Sequence, residues 1–192
     1  MKKCFFILAL ISLLLSCQPP QHYFIQITPT FEKVKEGRKT TVAFYPVADL
    51  REVARKDQVG IRKKGERTIP IYALMPAAET VTLAVKDYLE AKGVKAIRLA
   101  PEAEGGPPEA DVIIRGELKE LWVEAEGTVA TLYKLKITLK FEFEREKKRF
   151  SHKVELKTEK REKIFSILKV EKLAKEMVKE AVRKALDALE LP

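Results

Sequence analysis

Apolar and polar positions alternate most regularly in the second half of the chain. Tyr133, Leu135, Ile137, Leu139, Phe141 and Phe143 take turns with Lys134, Lys136, Thr138, Lys140 and Glu142, and Val129 extends the apolar series upstream. This period of two predicts a β-strand with one buried face. A slip of one residue would bury the lysines, so the register is fixed by the pattern itself. Before it, Val112, Ile114, Gly116 and Leu118 alternate with Ile113, Arg115, Glu117 and Lys119; after it, Phe150, Val154 and Leu156 alternate with Lys153, Glu155 and Lys157. With turns at Gly127 and across Arg145 to Arg149, the three runs predict consecutive antiparallel strands.

Elsewhere the period changes to three and four. Pro76 opens a segment in which Val81, Ala84, Val85, Tyr88 and Leu89 share one helical face, and Gly93 closes it. Leu173, Ala174, Met177, Val178, Ala181, Val182, Ala185, Leu186 and Leu189 form a longer stripe, predicting an amphipathic helix that starts near Ser166. Shorter strands are expected at Thr40 to Tyr45, at Val94 to Leu99, and at Tyr23 to Ile27 as an edge strand ended by Pro29. Ala100 to Glu109, with Gly105-Gly106-Pro107-Pro108, reads as a connection. Val47 to Met75, containing Gly60, Gly65 and Pro70, reads as a long irregular loop, a kind that is usually functional or disordered. A sheet with one apolar face must cover it. The expected fold is therefore an α/β (α+β) two-layer sandwich, in which a mixed, mostly antiparallel sheet of about four to five strands is covered on one face by two helices. That domain spans 40–192, behind a tether at 17–39.

The first sixteen residues stand apart. Lys2 and Lys3 precede an apolar run from Cys4 to Leu15, which is a secretory signal pattern. Twelve helical residues rise only about 18 Å, short of the roughly 30 Å hydrocarbon core. Leu14-Leu15-Ser16-Cys17 resembles the bacterial lipobox, in which the cysteine receives diacylglycerol and becomes the acylated N-terminus. Cys17 is therefore the expected lipidation site, and several acyl chains would hold the protein firmly to a membrane. Gln18, rather than Asp, follows it, which favours the outer membrane, periplasmic face, over inner-membrane retention. With Cys4 removed and Cys17 acylated, no thiol remains for disulfides, zinc sites or nucleophilic catalysis.

Charge changes the picture less than its density suggests. Removal of Lys2 and Lys3 reduces the formal charge of +9 by two, so the protein remains basic. Lys and Glu dominate, and Asn is missing throughout, a composition typical of heat-adapted proteins. The residues that stand out are Arg51, Arg55, Lys56, Arg62, Lys63, Lys64 and Arg67, set against Glu52, Asp57 and Glu66 within the long loop. Near a membrane such residues attract anionic headgroups, each contributing about 1 kcal/mol close to the surface. The same run also reads as a solvated loop, in which Asp49 simply pairs with Arg51 or receives turn amides. In a periplasmic location the expected partners are the membrane itself through the acyl chains, an anionic lipid or an envelope membrane protein, with no nucleic acid.

The order of elements resembles the YajG-like family of bacterial lipoproteins. The likeness rests on Cys17 followed by Gln18-Pro19-Pro20 and Ile25/Ile27, on Asp49-Leu50-Arg51 after the next strand, and on a helix ending Leu89-Glu90-Ala91-Lys92-Gly93. It implies an outer-membrane lipoprotein without an assigned enzymatic activity. A looser architectural likeness extends to the lipopolysaccharide-assembly lipoprotein LptE and to auxiliary lipoproteins of lipid-transport ABC systems, but architecture does not fix function.

No catalytic constellation emerges from the sequence. His22 lies in the tether and His152 on an inward strand position, where a lone histidine is usually packed and hydrogen-bonded. Ser151 and Ser166 lack a nucleophile-elbow setting, and no zinc, P-loop or dinucleotide motif is present. The expectation is a non-enzyme with no cofactor and no metal. A second candidate contact is the hairpin end, where Leu121, Trp122 and Val123 place apolar groups on both faces; Trp122 would anchor a partner, while a β-bulge explains the same three residues. The leading expectation is a lipid-anchored scaffold or assembly protein. The alternative is a carrier of lipid or lipopolysaccharide, with Ile69, Ile71, Tyr72, Leu74 and Met75 lining a cavity.

Overall fold

A computed structural model describes residues 21–33, 40–101 and 109–189. The signal segment, Cys17 and most of the Gly-Pro connection lie outside these residues. The strands are β1 (Tyr23–Ile25), β2 (Thr41–Phe44), β3 (Ala48–Asp49), β4 (Gln58–Lys64), β5 (Arg67–Ala73), β6 (Lys95–Arg98), β7 (Val112–Glu126), β8 (Thr131–Arg145) and β9 (Lys148–Glu162). Helix α1 (Ala77–Ala91) follows β5, and α2 (Ile167–Asp187) follows β9.

All nine strands belong to one mixed sheet, organised around β7. Along one edge, β7 pairs antiparallel with β8, which pairs antiparallel with β9. Along its other edge, β7 is long enough to serve three parallel partners in succession: β2 at Val112 to Ile114, β3 at Glu117 and Leu118, and β4 at Val123 to Glu126. Beyond β2 lies β6; beyond β4 lie β5 and then β1. The alternation read from the sequence puts Tyr133, Leu135, Ile137, Leu139, Phe141 and Phe143 inward, each at most 3% exposed. Complete burial of such side chains contributes roughly 1.5–3 kcal/mol apiece. Both helices cover this face. The expected stripe from Leu173 to Leu189 is buried, Val170 extends it by a turn at the start, and α1 packs beside it. At the start of α2 the Ser166 amide donates to the Tyr133 hydroxyl at 2.8 Å, joining the helix entry to the sheet.

The structure departs from the sequence expectations in four places. The sheet has nine strands rather than four to five. The difference comes mainly from the segment Val47 to Met75, which is not a loop: it contains β3 and the β4–β5 hairpin. That hairpin turns at Gly65, whose φ of 58° lies in the left-handed region that favours glycine. Gly60 allows β4 to approach β7 closely, since an added Cβ would sit 2.1 Å from the Val123 carbonyl oxygen. The sheet also begins upstream of residue 40, because β1 joins its edge and Ile25 and Ile27 are buried in the core. Finally, Val129 belongs to the turn between β7 and β8 and is 85% exposed.

Candidate functional site

A bulge in β7 creates the most distinctive surface feature. The pairing with β8 shifts between Leu118 and Glu120, so the inward series Val112, Ile114, Gly116, Leu118 continues as Leu121, Val123, Ala125. An inserted residue changes which face each following side chain meets. Trp122 is thereby turned to the face of the sheet that carries no helix, opposite Lys136. It lines a cleft of about 510 Å³ between Leu50-Arg51-Glu52-Val53 and Lys119-Glu120-Leu121. On its other side a shallower recess of about 220 Å³ runs toward Leu135, Lys157 and Thr158. Leu50, at the cleft wall, is 53% exposed.

The wall formed by the β3–β4 turn is held by Arg51. Its guanidinium makes a forked contact with Asp49, Nε to Oδ1 at 3.0 Å and Nη2 to Oδ2 at 2.8 Å. It also donates to the carbonyls of Gln58 at 2.9 Å and Lys56 at 2.6 Å. The two side chains are 2% and 11% exposed, so the pair is largely removed from water. Lys56 reinforces the turn by donating to the Arg51 carbonyl at 2.9 Å. Burial alone pushes the Asp49 carboxyl up, but hydrogen bonds from the Arg51 side chain and backbone, with the charges of Arg51 and Lys56, hold it below the ordinary carboxylate value. Arg51 thus shapes the cleft from within rather than presenting charge to a ligand.

The other basic residues do not form one surface. Arg55 pairs with Asp57 at 2.6 Å and stacks over the Tyr72 ring, 4.3 Å from its centroid. Arg62 points to the helix-covered side, where its guanidinium lies 3.5 Å from the Phe165 ring centroid and near the Tyr23 hydroxyl. Lys63 pairs with Glu124 at 2.8 Å across β4 and β7. Lys64 and Arg67 face each other at the exposed hairpin tip. Of the sequence-selected residues, only Arg51 and Trp122 meet at the cleft. Leu50 was missed as a site residue because its partner wall lies seventy residues away along the chain.

Two of the charged groups around Trp122 are engaged in ion pairs, while Glu52 is exposed. Glu120 receives Lys136 at 2.6 Å, and Lys119 lies 3.4 Å from Glu117. The arrangement provides an aromatic ring and an exposed leucine within a rim of paired charges, a surface suited to an apolar side chain or a short peptide. Among the described residues, no group of three or more His, Cys, Asp or Glu is placed to hold a metal ion. His152 sits beside Phe141 on β8, away from the cleft. The five residues expected to line a carrier cavity are divided: Ile69 and Ile71 are packed in the core, while Leu74 is 66% exposed and Tyr72 shares the outward face with Phe24.

No family model and no curated protein matches the chain. Solved structures do. Protein XCC0632 from Xanthomonas campestris, assigned to DUF330, superposes with a TM-score of 0.53 at 7% identity, covering 84% of this chain and 91% of that one. An uncharacterised protein superposes with a TM-score of 0.50, also at 7% identity, covering 88% and 99% of the two chains. A PelC dodecamer from Paraburkholderia phytofirmans overlaps at a TM-score of 0.41 and 14% identity, covering 83% and 90%. The likeness to XCC0632, a DUF330 protein, overturns the resemblance to YajG-like lipoproteins and to LptE. The element order that suggested YajG is shared by any chain that combines an early strand, a helix, a meander and a final helix. At such identities the likeness concerns the fold alone. No helix among the described residues is long and apolar enough to cross a membrane.

Proposed function

We propose that this chain is a lipid-anchored protein of the bacterial cell envelope, attached through Cys17 to the periplasmic face of the outer membrane. It acts without catalysis, as a scaffold or assembly component. Its partner is an envelope membrane protein whose apolar side chain or short segment enters the Trp122 cleft. The observation that carries this reading is that Trp122 and exposed Leu50 line one cleft, where Glu120 is already paired with Lys136 and Lys119 with Glu117. Such a surface offers an aromatic anchor while leaving few uncompensated charges to desolvate on binding. Lys64 and Arg67, exposed at the hairpin tip, supply contacts for anionic headgroups.

Photocrosslinking in the native host tests the proposal, with probes at Trp122 and Leu50 and a control at Lys172 on the outer side of α2. A discrete protein adduct from both cleft probes and none from the control is the expected result. Adducts from all three positions, or from the control alone, would discard the cleft as the working surface. Trp122→Ala should lose the adduct formed from Leu50 while keeping its unfolding midpoint, which separates a contact role from a packing role.

A further inference from the structure

A second surface lies at the far edge of the same sheet. β1 is the terminal strand, and its outward residue Phe24 stands opposite Tyr72 of β5. The ring centroids of these two are 5.9 Å apart; His22 packs edge-on to Phe24 at 5.0 Å and lies 6.3 Å from Tyr72. Arg55 covers Tyr72, and Leu74, just past the end of β5, has 66% of its surface exposed. Phe24 is itself 51% exposed. Apart from the Trp122 cleft, this open face carries mainly lysines and glutamates in ion pairs, as between Lys136 and Glu120 or Lys140 and Glu142. An exposed cluster of Phe, Tyr, His and Leu is therefore a local break in the surface chemistry, and such breaks mark contact sites.

The position of Cys17 suggests what covers it. Five residue steps lead from Cys17 to His22, and a fully extended chain spans at most about 3.6 Å per step, or about 18 Å here. An acylated Cys17 holds the bilayer surface within that distance of the cluster. Aromatic side chains with one apolar and one polar end favour the boundary between headgroups and acyl chains, and a guanidinium stacked on a tyrosine keeps its charge at headgroup level. We propose that His22, Phe24, Tyr72 and Leu74, with Arg55 beside them, form a membrane-seating patch that rests at the bilayer interface and fixes the orientation of the domain on its anchor. This rests on the reading that Cys17 is acylated.

The test uses the full chain purified from membranes, with the N-terminal peptide mass establishing acylation, in vesicles of phosphatidylethanolamine and phosphatidylglycerol. A Trp122→Phe background removes the only tryptophan. Into it is placed either Phe24→Trp or, on the opposite layer, Lys172→Trp. Far-UV circular dichroism and the unfolding midpoint confirm that each variant folds. Lipids brominated near the headgroup should quench and blue-shift the Phe24→Trp probe and leave the Lys172→Trp probe unchanged. If acylated protein binds the vesicles but both probes stay unquenched, or both are quenched alike, the patch does not seat on lipid and the anchoring reading survives. Protection of the Phe24→Trp probe by a membrane-protein partner, without quenching by lipid, overturns the proposal in the same way. An unmodified Cys17 in the peptide mass overturns the anchoring reading, and the proposal falls with it.

Discussion

The outer face of the β7–β8–β9 meander and the turn between β3 and β4 are both dense in charge, yet the charge has different physical roles. On the meander, Lys136–Glu120, Lys140–Glu142 and Lys157–Glu155 approach to 2.6–2.9 Å, but their side chains are 30–66% exposed. Water competes for each of them, and such pairs contribute little to stability. In the turn, Arg51 is 2% exposed and ties the Asp49 carboxylate to the backbone carbonyls of Lys56 and Gln58, closing the turn on itself. Removing Arg51 there leaves the largely buried Asp49 with only the backbone amide of residue 51 and Lys56 at 3.6 Å, and removing Asp49 leaves a buried guanidinium without its carboxylate. The number of ion pairs in a region therefore says less about what holds it than the water they exclude.

The strongest way to break this comparison is at Arg51. Arg51→Ala strands the Asp49 carboxylate and frees the Lys56 and Gln58 carbonyls, and should cost about 3–5 kcal/mol in urea unfolding. Arg51→Lys should recover only part of the loss, because an ammonium cannot reproduce the fork. A loss below about 1 kcal/mol for Arg51→Ala would place the turn among ordinary surface sites. Leu139→Ala, which empties a fully buried position of β8, should cost about 2–5 kcal/mol. It supplies the apolar yardstick for the meander, whose stability lies on its inner face. Gly60→Ala comes next: with the Val123 carbonyl 2.1 Å from the new Cβ, β4 must move away from β7, at about 1–3 kcal/mol. Exchange of the β4 amides should rise in that variant while those of β8 stay protected.

The same two regions show what a sequence makes legible. The inward set of β8 was readable residue by residue because fifteen consecutive residues keep one period and one face is fully covered. The stripe of α2 was readable for the same reason. Between Val47 and Met75 the signals conflict. Gly60 and Pro70 lie inside strands, and the β4–β5 register is broken between Gln58 and Gly60. The partner that makes β4 a sheet strand is β7, some sixty residues further on. Glycine there records a close approach of two backbones, which local pattern reports only as a break. Trp122 was noticed for its apolar neighbours, and the β7 bulge explains them. Its partnership with Leu50 depends on the turn held by Arg51, which no periodicity encodes.

Acid sharpens the contrast. Although burial acts to raise it, the Asp49 carboxyl is held below its ordinary value of 3.8 by Arg51 and Lys56. A depressed folded-state value means that the stability from this group is complete above 3.8 and is lost as the pH falls from there through the lower folded value. Asp57 and Glu171 are shifted in the same direction, so acid weakens the protein at several points. Asp49→Asn should flatten part of the decline in unfolding midpoint below about pH 4. An unchanged slope would mean that Arg51 holds the turn through the backbone carbonyls alone.

The smallest expected effect is on the meander. Lys136 donates to Glu120 at 2.6 Å and lies opposite Trp122 and Lys157. The hydrogen bond it donates to Glu120 raises the Lys136 ammonium above its usual value. The stability linked to a raised ammonium is complete below the unfolded value of 10.5 and is lost only as the pH rises through the folded one, so it is constant across roughly pH 6 to 9. Water reaches both groups, and Lys157 on the neighbouring strand gains freedom when Lys136 is removed. Lys136→Ala should therefore leave the urea midpoint unchanged within error, at low salt and at high salt alike. Under the proposed partner contact, the pair would keep Glu120 from meeting that partner as a bare carboxylate, so the same substitution should weaken crosslinking at Trp122 more than it alters folding. A midpoint loss as large as that of Gly60→Ala would show that the outer face is packed rather than solvated, and the distinction between the two charged regions would disappear.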